Sequence, residues 1–415
     1  MKTTVDLPRF DPTDGSILRD PYPTYAQYRE LDPIHWGMSN MDGLAGSWYL
    51  FRHDHNSALL SNGSLFASDP ASVGQVHSVP EAFRPIAEIH QRWLGGRDEP
   101  DHRRLRIIMA KAFTPKRINA LQPKIAEITK TLLAEAIEKG NGQFDMIADV
   151  AFPLPMAVVG EALGVRRDDW DLFQRWAADI SHAVDKAGDP EAGALGAAAI
   201  LAMYDYFAEL VAERRNNPGD DLLSTMVAVA DDEGQPMSEF DAIAIATELG
   251  VAGHETTTNG IAKSLIGLMD QRAQWEEFKT FDGDALDGAI DELLRWSTPV
   301  QRQRWRWVTE DTVLGDREFK RGDSVVSILA AANRDPEVFP DPDAIRWGRP
   351  TGKHLTFGFG PHFCLGSNLA RLEMRIALSE IASQVPNLQL SLDSSDIPWR
   401  DNSIIPGPAE VVVRA

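Results

Sequence analysis

Phe357-Gly-Phe-Gly-Pro-His-Phe-Cys-Leu-Gly366 contains the one cysteine of a 415-residue chain, Cys364, and its neighbours decide how that cysteine is read. Downstream, Leu365, Leu369, Leu372 and Ile376 recur at three- and four-residue intervals. That is the period of one helix face, so the spacing predicts a helix starting just after the sulfur. The positive end of a helix and its free N–H groups favour a thiolate over a thiol. Gly358 and Gly360 are expected to turn the backbone tightly and to donate N–H groups to the sulfur. Gly366 would let the helix approach a flat ligand with no side chain between, and Phe357 and Phe363 would keep water off a metal–sulfur bond. A lone cysteine in an intracellular protein is more often a buried apolar residue, but these flanks argue otherwise. A nucleotide-binding reading of Gly358-Phe359-Gly360 lacks its third glycine, where Phe363 stands, and a nucleophile reading has only His362 as a nearby base.

The rest of the chain suits a large protein stabilised by burial. It is 43% hydrophobic and cannot form an intramolecular disulfide. A net charge of −21 argues against nucleic acid and anionic membranes as partners. The amino terminus lacks an apolar leader, and the longest apolar run, Ala192 to Met203, is shorter than the ~20 residues of a membrane span. A cytoplasmic monomer is expected.

Without repeats or a linker, residues 1–415 read as a single domain. Helical patterning dominates about 100–300, with β-rich segments at about 45–65, 304–330 and 385–415. From a Ser238 cap to about Asp270 no proline intervenes and apolar residues face all round, which predicts one long buried helix. The polar group at its centre, His254-Glu-Thr-Thr-Thr-Asn259, needs a reason to be there.

The pattern Phe-Gly-x-Gly-x-His-x-Cys-x-Gly over residues 357–366 resembles the haem-binding signature of the cytochrome P450 superfamily. The resemblance implies a mainly α fold with a smaller β portion, a triangular helical prism around haem with a long central helix. It implies haem b held by the Cys364 thiolate, which favours O–O cleavage. Ala252-Gly-His-Glu-Thr-Thr257 resembles the family's oxygen-activation motif. By that likeness Ala252 lies against the cofactor, Thr256 hydrogen-bonds activated dioxygen and Glu255 feeds protons inward. A zinc-protease reading of His254-Glu255 fails because the second histidine position is Thr258, so His254 is read as structural.

Other family assignments follow by position. His102 and Arg106, at i,i+4, match propionate ligands, as do His362 and Arg306, with Arg304 the alternative in an uncertain register. Glu292, Arg295 and Arg349 match a structural triad supporting the haem loop. Ile245, Leu249, Val300, Gln301, Ile404 and Ile405 are expected to line the substrate pocket, with stretches near 72–93 and 178–203.

The chain has no flavin or iron–sulfur motif, so electrons must come from another protein. The basic run Arg103, Arg104, Arg106, Lys111, Lys116, Arg117 would dock an acidic ferredoxin. The implied reaction inserts one oxygen atom from dioxygen into an organic small molecule, with hydroxylation of a secondary metabolite as first choice. Epoxidation or oxidative ring closure and coupling, a peroxide-driven enzyme and a non-catalytic haem protein are the alternatives.

Overall fold

The computed structural model describes residues 7–39, 44–75, 81, 84–186, 189–303, 305–350 and 352–415. Arg304 lies outside the described residues, as do 76–80, 82–83 and 187–188 of the stretches expected near the substrate. The chain forms two compact units interleaved in sequence, one made of Met1–Ser78, Asp291–Cys364 and Trp399–Gly407, the other of Val79–Ile290, Leu365–Pro398 and Pro408–Ala415.

The first unit is built on a five-stranded sheet. Its order is Ile34–Gly37, Ser47–Leu50, Ser324–Ser327, Arg306–Val308, Phe66–Ala67. Ser324–Ser327 pairs parallel with Ser47–Leu50 and antiparallel with Arg306–Val308. Being central, it is buried at every position, and its Ser-Val-Val-Ser sequence supplies β-branched residues for both faces. An aromatic cluster of Phe10, Tyr25, Tyr28, Tyr49 and Phe51 fills the core beside it. There the Phe10 ring meets Tyr49 edge-on at 4.9 Å and Phe51 at 5.1 Å.

The second unit is helical. Its central helix runs unbroken over Glu239–Asp270, 32 residues or about 48 Å. Ser238 caps it by accepting the Asp241 N–H at 3.0 Å. It packs against helices Pro153–Leu163, Pro190–Asn216 and Ser367–Gln384, which explains the lack of a polar face. Gly250 sits in the helix interior because a Cβ there would stand 2.6 Å from the Phe173 ring.

Two features depart from the sequence expectation. The 27-residue helix Pro190–Asn216 is long and apolar enough by composition to cross a membrane. Its apolar residues Ile200, Met203, Phe207 and Leu210 are instead buried in the core of this unit. Within the region expected to be helical, the strand Gln143–Asp145 pairs with Val412–Arg414, which in turn pairs with Gln389–Leu390. Three residues are too few to show a period, and their partner lies at the far end of the chain.

Candidate active site

In the first unit, the turn that carries the sulfur is closed by the Cys364 N–H, which donates to the Phe357 carbonyl at 2.8 Å. The Cys364 side chain is exposed. Gly358 and Gly360 have φ of +72° and +71°, left-handed conformations that favour glycine. A Cβ on Gly358 would also come within 2.6 Å of Gln303 Nε2, and one on Gly360 would strike the Leu60 carbonyl. The Gly358 N–H donates to the Leu355 carbonyl at 2.8 Å, which corrects the expectation that this amide serves the sulfur. Forming the turn uses it. The Phe357 and Phe363 rings lie 6.2 Å apart, Phe357 buried and Phe363 exposed. In the second unit, Gly366 caps the helix Ser367–Gln384, with open space where a Cβ would stand.

The structure brings Glu292, Arg295 and Arg349 together in the first unit. Arg295 grips the Glu292 carboxylate bidentately, Nε to Oε2 at 2.7 Å and Nη2 to Oε1 at 2.8 Å, with both residues fully buried. Arg349 Nε donates to the same Oε1 at 3.2 Å, and the Arg346 N–H does so at 2.9 Å. Asn333, which sequence reasoning did not single out, links this triad to the cysteine loop. Its carbonyl accepts from Arg295 Nη1 at 2.9 Å. Its side-chain oxygen accepts the Leu355 N–H at 2.6 Å, and its amide donates to Thr298 and Thr356, each at 2.9 Å. Leu355 and Thr356 are the two residues immediately before Phe357. A buried ion pair thus holds the stem of the loop.

Of the two alternative arginines, Arg306 is the one described; it lies on the strand Arg306–Val308 and is 7% exposed. Its Nη1 donates to Ser68 Oγ, and Ser68 Oγ also lies 3.2 Å from His362 Nε2. Sequence reasoning missed Ser68, because a single serine in Phe-Ala-Ser-Asp carries no motif. Elsewhere in the first unit, the Gln301 N–H donates to the Ile404 carbonyl at 2.9 Å, bringing the Val300–Gln301 segment to the Ile404–Ile405 turn.

In the second unit, His102 is buried and Arg106 half-buried on the helix Asp101–Ala112. Within the basic run, the Arg104 guanidinium lies 3.2 Å from Asp241 on the central helix, where Arg97 pairs at 2.6 Å. Burial works to raise the Asp241 pKa, but the hydrogen bonds from Ser238, Arg97 and Arg104 prevail and hold it below the usual carboxylate value. Lys111 likewise pairs with Asp232 at 3.2 Å. Arg103, Lys116 and Arg117 are exposed and enter no ion pair among the described residues.

On the central helix, Thr256 Oγ1 donates to the Ala252 carbonyl at 3.0 Å and Glu255 is buried. Ala252 is exposed and Thr256 half-buried on a helix otherwise mostly enclosed. His254 Nε2 sits 3.1 Å from the Phe152 carbonyl, a packing role. Leu249 is partly accessible, whereas Ile245, expected to line the pocket, is 1% exposed within the helical core.

These residues fit a haem. An exposed thiol on a glycine turn would offer a soft sulfur ligand, and Arg306, Ser68 and His362 meet one another as groups of the kind that pair with carboxylates. In the second unit, the small side chain of Ala252 is exposed on the central helix. The class so defined is a haem-thiolate protein.

Comparison with known proteins agrees. Residues 284–400 match the family model for cytochrome P450. Cytochrome P450 107B1 of Saccharopolyspora erythraea is 35% identical, over 99% of this chain and 99% of the relative. The cytochrome P450 monooxygenase PikC of Streptomyces venezuelae is 33% identical, over 95% of this chain and 91% of its own. The solved structure of the bacillaene polyketide synthase cytochrome P450 PksS of Bacillus subtilis superposes with a TM-score of 0.87 at 31% identity, covering 98% of this chain and 99% of that one. The chain belongs to the cytochrome P450 family and is a P450 monooxygenase.

Proposed function

We propose that this protein binds haem b through the Cys364 thiolate and hydroxylates a polyketide-type or related secondary metabolite, with electrons from an acidic ferredoxin. The observation that carries the reading is the exposed Cys364 on its two left-handed glycines, held by the Asn333 link to a buried Glu292–Arg295–Arg349 triad. Bound haem supplies the redox chemistry that activates dioxygen.

The chain's own residues do the rest. In the first unit Arg306 and His362, which converge on one hydroxyl, would neutralise propionate charge; His102 and Arg106 of the second unit are assigned that role by the family resemblance alone. The Thr256 hydroxyl has one proton to donate and two lone pairs. Held at the Ala252 carbonyl, it can accept from water and pass a proton on, with Glu255 as the inward source. Val300, Gln301, Ile404 and Ile405 would shape the substrate side. The exposed Arg103, Lys116 and Arg117 form the basic surface for the ferredoxin, in a single catalytic domain working in the cytoplasm. The polyketide class is supported by the likeness to the bacillaene polyketide synthase cytochrome P450 PksS.

The test is the reduced carbon monoxide spectrum of the purified holoprotein. Thiolate ligation is expected in the wild type and lost in Cys364→Ser, with one atom of labelled dioxygen recovered in the product. A histidine-type spectrum in the wild type would overturn the reading.

A further inference from the structure

We propose that Ser68 is a positioning residue for the haem, its hydroxyl joining Arg306 and His362 into one anion clamp for a propionate. The inference rests on the haem-binding reading above. Strand register is what brings the three together. Phe66 pairs with Val308 and Ala67 with Trp307, so one further step along the antiparallel ladder sets Ser68 opposite Arg306. The strand containing Phe66 is only two residues long, and its pairing holds Ser68 from the amino-terminal side. On the other side, the Asp69 carboxylate accepts the Ala71 N–H at 2.9 Å and caps the 3-10 turn Pro70–Val73. Ser68 is therefore fixed by its backbone.

The chemistry of the three groups explains why a hydroxyl suits this place. A guanidinium only donates, so Ser68 Oγ accepts from Arg306 and keeps a proton and a lone pair for the His362 ring at 3.2 Å. Arg306 is 7% exposed, so its charge has lost most of its water and depends on protein partners for orientation. Tying both side chains to one oxygen removes rotamer freedom that each would otherwise lose on binding a carboxylate. Arg306 comes from a sheet strand and His362 from the cysteine loop, and Ser68 ties the two supports to each other.

The experiment compares haem transfer from ferric holoprotein to excess apomyoglobin for wild type, Ser68→Ala and Ser68→Thr. Loss of the bridging hydrogen bonds should speed haem loss by about tenfold in Ser68→Ala, while Ser68→Thr, which keeps the hydroxyl, stays near wild type. The haem midpoint potential should fall in Ser68→Ala, because a freed Arg306 brings less positive charge to the haem edge. A side chain that merely packs would not move the potential. Should Ser68→Ala fold poorly, the cycle with His362→Phe keeps the proposal exposed, measured with Ser68→Thr and Ser68→Cys against the wild type. Removal of the hydroxyl must speed haem loss less in the His362→Phe background than in the wild type. Equal effects in both backgrounds, or unchanged haem loss and potential, overturn the clamp. A histidine-type carbon monoxide spectrum would instead overturn the thiolate reading and leave this comparison, which reads the propionate end, standing.

Discussion

Replacing Glu292 by glutamine keeps the size of the side chain and removes its charge at the centre of a dry ion cluster. Glu292 and Arg295 are both 0% exposed, and the carboxylate accepts four hydrogen bonds, two from Arg295, one from Arg349 Nε and one from the Arg346 N–H. In Glu292→Gln the amide NH2 must face a guanidinium that can only donate, and two buried cations lose their counter-ion. Removing one partner of a buried pair costs about 3–5 kcal/mol, because the remaining charge stays desolvated. Whole proteins are stable by only about 5–15 kcal/mol, so the variant loses a large share of its margin. The damage should also reach the cysteine loop through Arg295, the Asn333 carbonyl and the bond from the Leu355 N–H to Asn333. Urea unfolding followed by far-ultraviolet circular dichroism should show a lower midpoint with an unchanged slope, together with reduced haem content after purification. A midpoint equivalent to less than about 0.5 kcal/mol of change, the scale of ordinary surface substitutions, with full haem content would refute the view that this cluster holds the loop.

Three further outcomes are expected. Thr256→Ala should lower product formed per electron by roughly tenfold, less than the ~10²-fold of a full acid–base group because water can substitute in part, with the lost electrons appearing as hydrogen peroxide; unchanged coupling would exclude the relay. Glu373, on the helix Ser367–Gln384, is 1% exposed, and burial raises its pKa well above 4.5. Between 4.5 and its folded value the native state keeps a proton that the unfolded chain has released, so wild-type stability falls as pH rises, at about 1.4 kcal/mol per unit. Glu373→Gln does not titrate, so its stability relative to wild type should climb over that window in guanidinium unfolding at pH 5, 6 and 7; a constant difference would contradict a buried neutral acid. Lys116→Glu with Arg117→Glu should slow reduction by an acidic ferredoxin and flatten its dependence on ionic strength in stopped-flow traces, and an unchanged salt dependence would place docking elsewhere.

Features encoded by near neighbours were legible in the chain. The central helix starts at its Ser238 cap and ends at Asp270 because capping and apolar periodicity act over a few residues. The cysteine turn is local too, since its positive φ angles fall on Gly358 and Gly360 themselves. Glu292 and Arg295 could be paired from their i,i+3 spacing, although nothing in that spacing says they are buried.

Contacts between distant segments carried no local signal, and where one was expected, as for Arg349 with Glu292, the family resemblance supplied it. Ser68 and Arg306 are 238 positions apart and meet through the register of a two-residue strand. Asn333 joins the triad to the loop, and Arg104 pairs with Asp241, each through side-chain contacts that no period announces. By itself the sequence determined the sulfur turn, the long helix and the kind of chemistry they imply, since each depends on residues a few steps apart. Only the tertiary structure decided which charges are buried and which hydroxyl bridges Arg306 and His362, because burial and strand register are set jointly by segments hundreds of residues apart.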